Sequence, residues 1–414
     1  MTASAASLRP VAIVLAGLVA LAVAMGIGRF AFTPILPMML AEGAVDLPGA
    51  SLLASANYLG YLVGAVACTF QPWLWRRLGR AGTADGPALV RKGLAATVLL
   101  TLAMALHTPS GWPWLRFAAG LASAVVFIYT SGWCMEQLAR RQVPAMGALI
   151  YVGPGGGIVV SGLVASGLVA MGATATSAWI TFGVLAAVLT AAVWGVFRAA
   201  RAGAAPTHAN VAATPAQALP AGRGMAVALL ALAYGLAGIG YIVTATFLPV
   251  IARQALPNSH WLDLFWPLFG LGVMLGAFLA SRIRGTGDLR LRLLACYVVQ
   301  AAGVAASLVS PTLAGFAIGS FLLGLPFTAI TFFAMQEVRR VQPLQTTSYV
   351  GLLTAVYGLG QIAGPPLAAW LVTRSATAAI GFQHALWIAT GLLLLGAALY
   401  LWLARRYPVT PLQA

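Results

Sequence analysis

Ionisable side chains are scarce in this sequence. Of its 414 residues 7 are acidic, 4 are His and 3 are Cys, and charged residues make up 7% of the chain. The cysteines lie singly in apolar stretches, with no CxxC pair and no neighbouring His, which argues against a disulfide framework and a metal site. No nucleophile stands beside a base and no Walker-type phosphate loop occurs, so catalysis and direct ATP hydrolysis are disfavoured. We expect no enzymatic activity and no cofactor.

Hydrophobic residues, in contrast, make up 61% of the chain. They form recurring apolar stretches of about 20 residues, the length that crosses a bilayer as a helix. The net charge is +16, but the basic residues fall in short runs between the apolar stretches instead of covering one polar surface. This distribution argues against nucleic-acid binding. The composition predicts a protein that crosses the lipid bilayer many times.

Hydropathy, with Gly, Pro and Arg as boundary signals, predicts an all-α membrane protein with twelve transmembrane helices. Most Arg and Lys residues between the spans fall on one side, which the positive-inside rule assigns to the cytoplasm together with both termini. The predicted spans are 11–40, 50–75, 91–108, 112–138, 143–170, 174–198, 225–254, 261–283, 289–309, 312–338, 344–373 and 379–404.

The sequence also contains an internal repeat. The string GIGRFAFTPILP at 26–37 returns as GIGYIVTATFLP at 238–249, an offset of 212 residues, and later glycines match at an offset of 204. The stretch 199–224 is rich in Ala, Pro and Thr and has little apolar periodicity, as is typical of a linker. We therefore predict two six-helix halves, residues 1–198 and 225–414, joined by a cytoplasmic linker at 199–224.

Two six-span halves in parallel repeat resemble the major facilitator superfamily. The stretch from Arg116 to Ala124 is similar to the superfamily's fourth-span pattern, whereas the basic loop 76–80 lacks the acidic residue usual between spans two and three. The motif at 26–37 resembles the YbfB/YjiJ-type branch of bacterial inner-membrane transporters. The resemblance implies a secondary active or facilitative transporter that moves a small organic solute across the bacterial inner membrane by alternating access. We expect it to act as a monomer.

Several polar residues inside the spans are candidates for solute binding or coupling. Arg29 lies deep in the first span, where a charged side chain must face protein or a water-filled cavity. The alternative to solute binding by Arg29 is a structural role, in which it bonds carbonyls freed by Pro34 and Pro37. For Arg116 the alternative is a side chain that snorkels to the membrane interface. For the other candidates it is ordinary interhelical hydrogen bonding. The full set is Arg29, Thr33, Asn57, Tyr61, Arg116, Tyr241, Thr244, Tyr357 and Gln361.

Two acidic residues at predicted cytoplasmic ends suggest a gate. Glu136 with Arg140, and Glu337 with Arg340, could form ion pairs that close this side, the alternative being local neutralisation of loop charge. Because no carboxylate falls clearly at mid-membrane, the coupling ion is left open, with a proton as one candidate.

Two Arg candidates within the spans, without a mid-membrane acid, favour an anionic or zwitterionic solute. The alternatives are a multidrug/proton antiporter that exports lipophilic compounds, and a non-transporting sensor or enzyme on a carrier-like scaffold.

Overall fold

The computed structural model describes residues 9–77, 85–202, 223–256, 259, 261–283, 287–341 and 346–408, and it is helical throughout its regular elements. Within these ranges, eleven helices are long and apolar enough to cross a membrane. The helix at the predicted eleventh span, Thr346–Arg374, falls outside that set although it has 29 residues, because glycines, Gln361, Pro365 and Pro366 lower its mean hydropathy. The predicted all-α membrane architecture is confirmed.

By its internal contacts the described chain divides into two compact units. Unit 1 holds the described residues of Met1–Asp46 and Ala56–Val211, and unit 2 those of Leu47–Ser55 and Ala212–Ala414. The first nine residues of one helix therefore group with unit 2 and its remainder with unit 1. The predicted domain limits stay a prediction, since most of the 199–224 linker lies outside the described residues.

The first span of unit 1 is interrupted, whereas the spans that follow are longer helices. Proline stands in the first turn of α1, α4 and α5, where its missing N–H costs no helical hydrogen bond. The helices are α1 (Pro10–Leu21), α2 (Phe32–Ala41), α3 (Leu47–Arg77), α4 (Gly86–Ala103), α5 (Trp112–Arg140), α6 (Val152–Ala170) and α7 (Ala175–Ala202), with a π-helix at Ala22–Ile27 and a 3-10 helix at Pro144–Tyr151.

The third span begins earlier than the sequence predicts. Its predicted start is residue 91, but α4 begins at Gly86 because Asp85 accepts a hydrogen bond from the backbone N–H of Ala88 (3.0 Å) and caps the helix. Arg91 and Lys92 therefore lie inside the helix, more than a turn from its start.

In unit 2 the first span is a single helix and the fourth span is divided. The helices are α8 (Arg223–Ala255), α9 (Phe265–Arg282), α10 (Leu289–Val309), α11 (Leu313–Gly324), α12 (Phe327–Val341), α13 (Thr346–Arg374) and α14 (Ala378–Arg406), with a 3-10 turn at Leu262–Leu264. Pro326 separates α11 from α12, since proline cannot donate the hydrogen bond that would continue α11.

The internal repeat is visible in the packing of both units. Gly60 of α3 leaves no room for a Cβ against the carbonyl of Phe117 on α5, and Gly272 of α9 leaves none against the carbonyl of Phe321 on α11. These pairs occupy matching positions at the offsets of 212 and 204. Glycine at such positions lets helix backbones approach closely. The repeat therefore specifies the same close helix crossing twice.

Candidate functional site

The first span of unit 1 changes its hydrogen-bond pattern in the middle. The backbone N–H groups of Gly28 and Phe30 donate five residues back, to Val23 (2.9 Å) and Met25 (3.0 Å), as in a π-helix. The N–H of Thr33 then bonds to the carbonyl of Phe30 (3.1 Å), three residues back, as in a 3-10 turn. Pro34 follows at once and cannot donate. The break lies at residues 28–31, between the π-helix and α2.

Arg116 on α5 binds the carbonyls at this break. Its Nη1 donates to the carbonyl of Gly28 (3.2 Å) and its Nη2 to that of Arg29 (3.0 Å). The side chain is 2% exposed, and its guanidinium lies 5.0 Å from the ring centre of Phe32. A guanidinium with two parallel donors is well suited to adjacent acceptors. Arg116 is thus buried against the first span and does not occupy the surface position that snorkelling requires.

Neighbouring residues hold Arg116 and the break in place. Asn57 on α3 is fully buried, and its Nδ2 donates to the backbone carbonyl of Arg116 (2.9 Å). Ser123, seven residues after Arg116 on the same face of α5, donates to the carbonyl of Ala24 in the π-helix (2.7 Å). Ser123 was not among the sequence candidates, although its i+7 spacing from Arg116 indicates a shared face. One face of α5 therefore donates hydrogen bonds to the first span both at the break and within the π-helix.

Arg29 has aromatic surroundings. It is 3% exposed, and its guanidinium carbon lies 4.1 Å from the ring centre of Tyr61, 5.2 Å from that of Tyr58 and 5.3 Å from that of Phe30. Aromatic faces attract a cation most strongly where water is excluded. The structure brings two separately predicted residues, Arg29 and Tyr61, together and adds Tyr58, one turn before Tyr61, which sequence reasoning missed. Thr33 is buried at the start of α2.

Three of the acidic side chains in unit 1 are held by partners elsewhere. Glu42 accepts from the backbone N–H of Ala175 (2.6 Å), Asp85 caps α4, and Glu136 pairs with Arg140 on the same helix. The guanidinium of Arg29 lies against aromatic rings, and that of Arg116 contacts two backbone carbonyls and the ring of Phe32. Across the described part of the chain, His, Cys, Asp and Glu side chains form no group of three that could hold a metal ion.

The corresponding region of unit 2 is neutral. Tyr241, which the repeat aligns with Arg29, is fully buried, and its hydroxyl accepts a hydrogen bond from Nε2 of Gln361. The ring of Tyr357 stacks on Tyr241 (5.8 Å between ring centres) and on Tyr234 (4.6 Å), and Tyr234 donates to the Oγ1 of Thr331 (3.0 Å). The structure unites three predicted residues here and adds Tyr234, seven residues before Tyr241 on the same helix.

Thr244 lies one turn beyond Tyr241 on α8 and is 4% exposed. The structure gives its buried hydroxyl no hydrogen-bond partner. The spacing places both side chains on one side of the helix, as predicted. Binding by Thr244 stays a prediction.

The two predicted gate pairs differ in their surroundings. Glu136 and Arg140 approach to 2.5 Å, but their side chains are 50% and 43% exposed. Glu337 is 2% exposed and accepts from Arg340 on its own helix at 2.6 Å and 2.8 Å. It also lies 3.7 Å from Nε of Arg290. These partners of Glu337 all belong to unit 2, and its role as a gate stays a prediction.

Arg290 links three elements of unit 2 and was missed in the sequence. Its guanidinium donates to Asp288 (2.7 Å) and to the backbone carbonyls of Leu403 (2.8 Å) and Tyr407 (2.6 Å) at the end of α14. Positive charge at a helix C-terminus is favourable because the last carbonyls lack helical partners. The sequence signal for Arg290 is its position two residues after Asp288, the residue that caps α10.

The pKa of Asp288 is lowered from its ordinary value. Burial by itself raises this pKa, but the hydrogen bonds and the positive charge of Arg290 outweigh that effect. The Asp288 side chain is therefore ionised in the folded protein at neutral pH.

Comparison with known proteins agrees with this architecture. A family model described as "Uncharacterised MFS-type transporter YbfB" matches residues 21–401. Among solved structures, the fold is similar to that of a point mutant of the nucleoside transporter NupG, with a TM-score of 0.68 and 15% identity over 95% of this chain and 99% of that one. No curated protein sequence matches. The chain therefore belongs to the major facilitator superfamily, in the YbfB-type family, and is a multi-pass membrane transporter and not an enzyme.

Proposed function

We propose that this transporter is a secondary carrier that moves a small anionic or zwitterionic organic solute across the bacterial inner membrane by alternating access. Membership in the family supports transport itself. The excess of Arg and Lys on one side of the predicted spans supports cytoplasmic termini. The side chains of the broken first span support the class of solute.

The observation that carries this proposal is Arg29 at the break in the first span. Its side chain is 3% exposed, and an ionised side chain inside a membrane protein is costly unless protein or water surrounds it. Arg116 donates to the carbonyls of Gly28 and Arg29 at the break, whereas the guanidinium of Arg29 lies against the rings of Tyr58 and Tyr61. Arg29 is therefore the better candidate for contact with the solute.

Tyr61 lies against Arg29 and is more exposed than Arg29 itself. The guanidinium of Arg29 lies 4.1 Å from the centre of the Tyr61 ring, and Tyr61 itself is half-buried. A guanidinium is cationic, and its planar set of donors matches the two oxygens of a carboxylate. This arrangement favours a carboxylate over a cationic solute.

Two other solute classes serve as tests of this assignment. Lipophilic cations are the cargo of the alternative antiporter, and nucleosides are the cargo named for the similar structure of NupG. The neutral tyrosine and glutamine side chains of unit 2 would suit an uncharged ring as well as an uncharged part of a carboxylate solute. A thermal-shift screen of the purified protein against carboxylates, amino acids, nucleosides and lipophilic cations should give its largest stabilisation with carboxylates or amino acids, because a ligand of the folded state raises apparent stability.

The decisive experiment then compares variants of Arg29 and Arg116 in proteoliposomes with the best solute from that screen. Arg29→Ala should abolish uptake per folded molecule, and Arg29→Lys should impair it substantially, because Lys keeps the charge but loses the two-pronged donor. Both should fold nearly normally. Arg116→Lys is the matched control. We expect it to lower thermal stability more than it lowers transport per folded molecule. Full specific transport by folded Arg29→Ala would refute the role of Arg29.

A further inference from the structure

A groove of about 420 Å³ lies on unit 1 at the N-terminal part of α4, well apart from Arg29 in the sequence. It lies between α4 and the end of α7, two helices that pack together. Its lining consists of two basic side chains, one acidic side chain, one tryptophan and two alanines: Arg91, Lys92, Asp85, Trp194, Ala88 and Ala95. By the distribution of Arg and Lys, this end of the helices is the predicted cytoplasmic end.

The basic side chains of the groove are positioned for an anion. The guanidinium of Arg91 lies 5.4 Å from the ring centre of Trp194, and its Nε is buried and has no hydrogen-bond partner in the structure. Lys92 is exposed beside it. An anion that enters the groove would thus meet one oriented guanidinium and one flexible ammonium group.

The same two helices carry large exposed apolar side chains nearer the middle of their spans. Leu99 on α4 is 66% exposed, and Val188 on α7 is 61% exposed. Leu99 follows Arg91 by eight residues, so both lie on one face of α4. In a membrane protein such side chains face the acyl chains of lipids, and a tryptophan at the span end sits at the headgroup level. A ligand with an anionic head and apolar tails would match both parts of this surface.

We propose that the groove between α4 and α7 binds the phosphate headgroup of an anionic phospholipid. Arg91 and Lys92 would bind the phosphate oxygens, Trp194 would lie against the glycerol region, and the acyl chains would extend along Leu99 and Val188. Basic pockets between membrane helices on the cytoplasmic side recognise anionic lipids through this combination of charge and apolar surface.

Asp85 provides a substitution that should strengthen lipid binding, in contrast to the substitutions of Arg91 and Lys92 that should weaken it. Its carboxylate lines the groove and opposes an anion, although it also accepts the hydrogen bond from the Ala88 N–H that caps α4. Asn is as good an N-cap as Asp, so Asp85→Asn removes the negative charge and keeps the cap. This single change should strengthen lipid binding while leaving the helix intact.

Native mass spectrometry of the full-length protein in detergent, with added lipid, tests the proposal. The probes are phosphatidylglycerol and cardiolipin, with phosphatidylcholine, phosphatidylethanolamine and inorganic phosphate for comparison. We expect Arg91→Gln and Lys92→Gln each to weaken binding of phosphatidylglycerol about fivefold and Asp85→Asn to strengthen it. Arg282→Gln is the matched control, because the Arg282 guanidinium also lies on an aromatic ring, 4.8 Å from Phe278, at the end of a helix, but it does not line this groove.

Four results would overturn the proposal. They are unchanged binding in Arg91→Gln and Lys92→Gln, an equal loss in Arg282→Gln, equal affinity for phosphatidylcholine or phosphatidylethanolamine, and equal saturation of the groove by inorganic phosphate. Circular dichroism and size-exclusion profiles establish that each variant is folded, so a loss of binding reports on the groove. The experiment does not use transport, and its outcome is therefore independent of the solute proposal.

Discussion

The repeated segments 26–37 and 238–249 share their sequence frame but differ in structure. Pro249 aligns with Pro37, and it is accommodated inside the continuous helix α8. Pro34 has no counterpart, since Thr246 occupies the aligned position. The first copy breaks at residues 28–31 and the second does not. The interrupted copy therefore differs from the continuous one by an additional proline, Pro34, three residues before the proline that both copies share.

The partners of these segments differ accordingly. Arg116 caps the carbonyls at the break in unit 1, and the residue aligned with it at an offset of 204 is Ser320, which donates to Phe316 on its own helix (2.7 Å). The cap is present where carbonyls are left open and absent where the helix is continuous. Tyr241 likewise replaces Arg29, with Gln361 as a neutral partner. The comparison suggests that one repeat has become a charged site and the other a neutral one.

The largest effect that we predict comes from removing the cap. Arg116→Ala leaves two buried carbonyls without their donors, at about 1–3 kcal/mol each, so the loss of stability should be about 2–6 kcal/mol. Ser320→Ala should cost much less, because only a hydrogen bond within one helix is lost. Thermal unfolding of the purified variants measures the difference.

A double-mutant cycle tests whether Pro34 causes the need for this cap. Pro34→Thr copies the residue of the second repeat and restores an N–H group to the helix. If the comparison is right, Arg116→Ala is less costly in the Pro34→Thr background. Strictly additive losses would contradict the link between break and cap.

The reverse exchange is Thr246→Pro in unit 2. It removes an N–H from the interior of α8 and introduces a clash with the preceding turn, at a cost of about 3 kcal/mol or more. Ser320 is too short to take the place of Arg116 at the new break. Thr246→Ala is the control for the lost side chain, and a thermal stability equal to that control would show that α8 tolerates a break.

A smaller effect is predicted for the acidic residues Glu337 and Glu136, which differ in burial. Glu337→Gln removes a buried charge from beside Arg290 and should cost about 3 kcal/mol, because breaking a buried pair leaves the other charge poorly compensated. Glu136→Gln should cost about 0.3–0.5 kcal/mol, as is typical of exposed pairs four residues apart on a helix. Thermal unfolding measures both variants.

Cysteine-accessibility labelling of the same two variants tests the gate. Loss of a cytoplasmic closure should shift labelling toward the inward-open state. Unchanged labelling in both variants would leave these acids with a local role.

The smallest predicted effect is a dependence of stability on pH from Asp288 in unit 2. Because its folded pKa is lowered, the ionised group stabilises the fold fully above the ordinary Asp value of about 4, and this contribution is lost as the pH falls through the folded pKa. Asp288→Asn keeps the helix cap and removes the charge. We expect a weaker decline of melting temperature below a pH of about 4 in the variant, and parallel curves for both proteins would contradict this.

The sequence by itself determined the membrane class, the approximate spans and the repeat. These follow from local properties, since a bilayer requires continuous apolar stretches and leaves a periodic record of Gly, Pro and Arg. It also indicated Arg29, Tyr61, Tyr241 and Gln361 as separate candidates, because an intramembrane charge and polar groups at one-turn spacing are visible in the chain. Ser123 and Arg290 were not predicted, because their spacing from Arg116 and Asp288 indicates a shared face or a helix start but not the distant carbonyls that they bind.

Tertiary structure alone decided where the guanidinium of Arg116 lies. The sequence left a snorkelling interfacial position open for it, yet it donates to the carbonyl of Arg29, 87 residues away. It also decided that Glu337 is buried and Glu136 exposed, although both precede a pair of arginines in the sequence. Hydrogen-bond partners and burial depend on the packing of distant helices, and local sequence patterns do not record that packing.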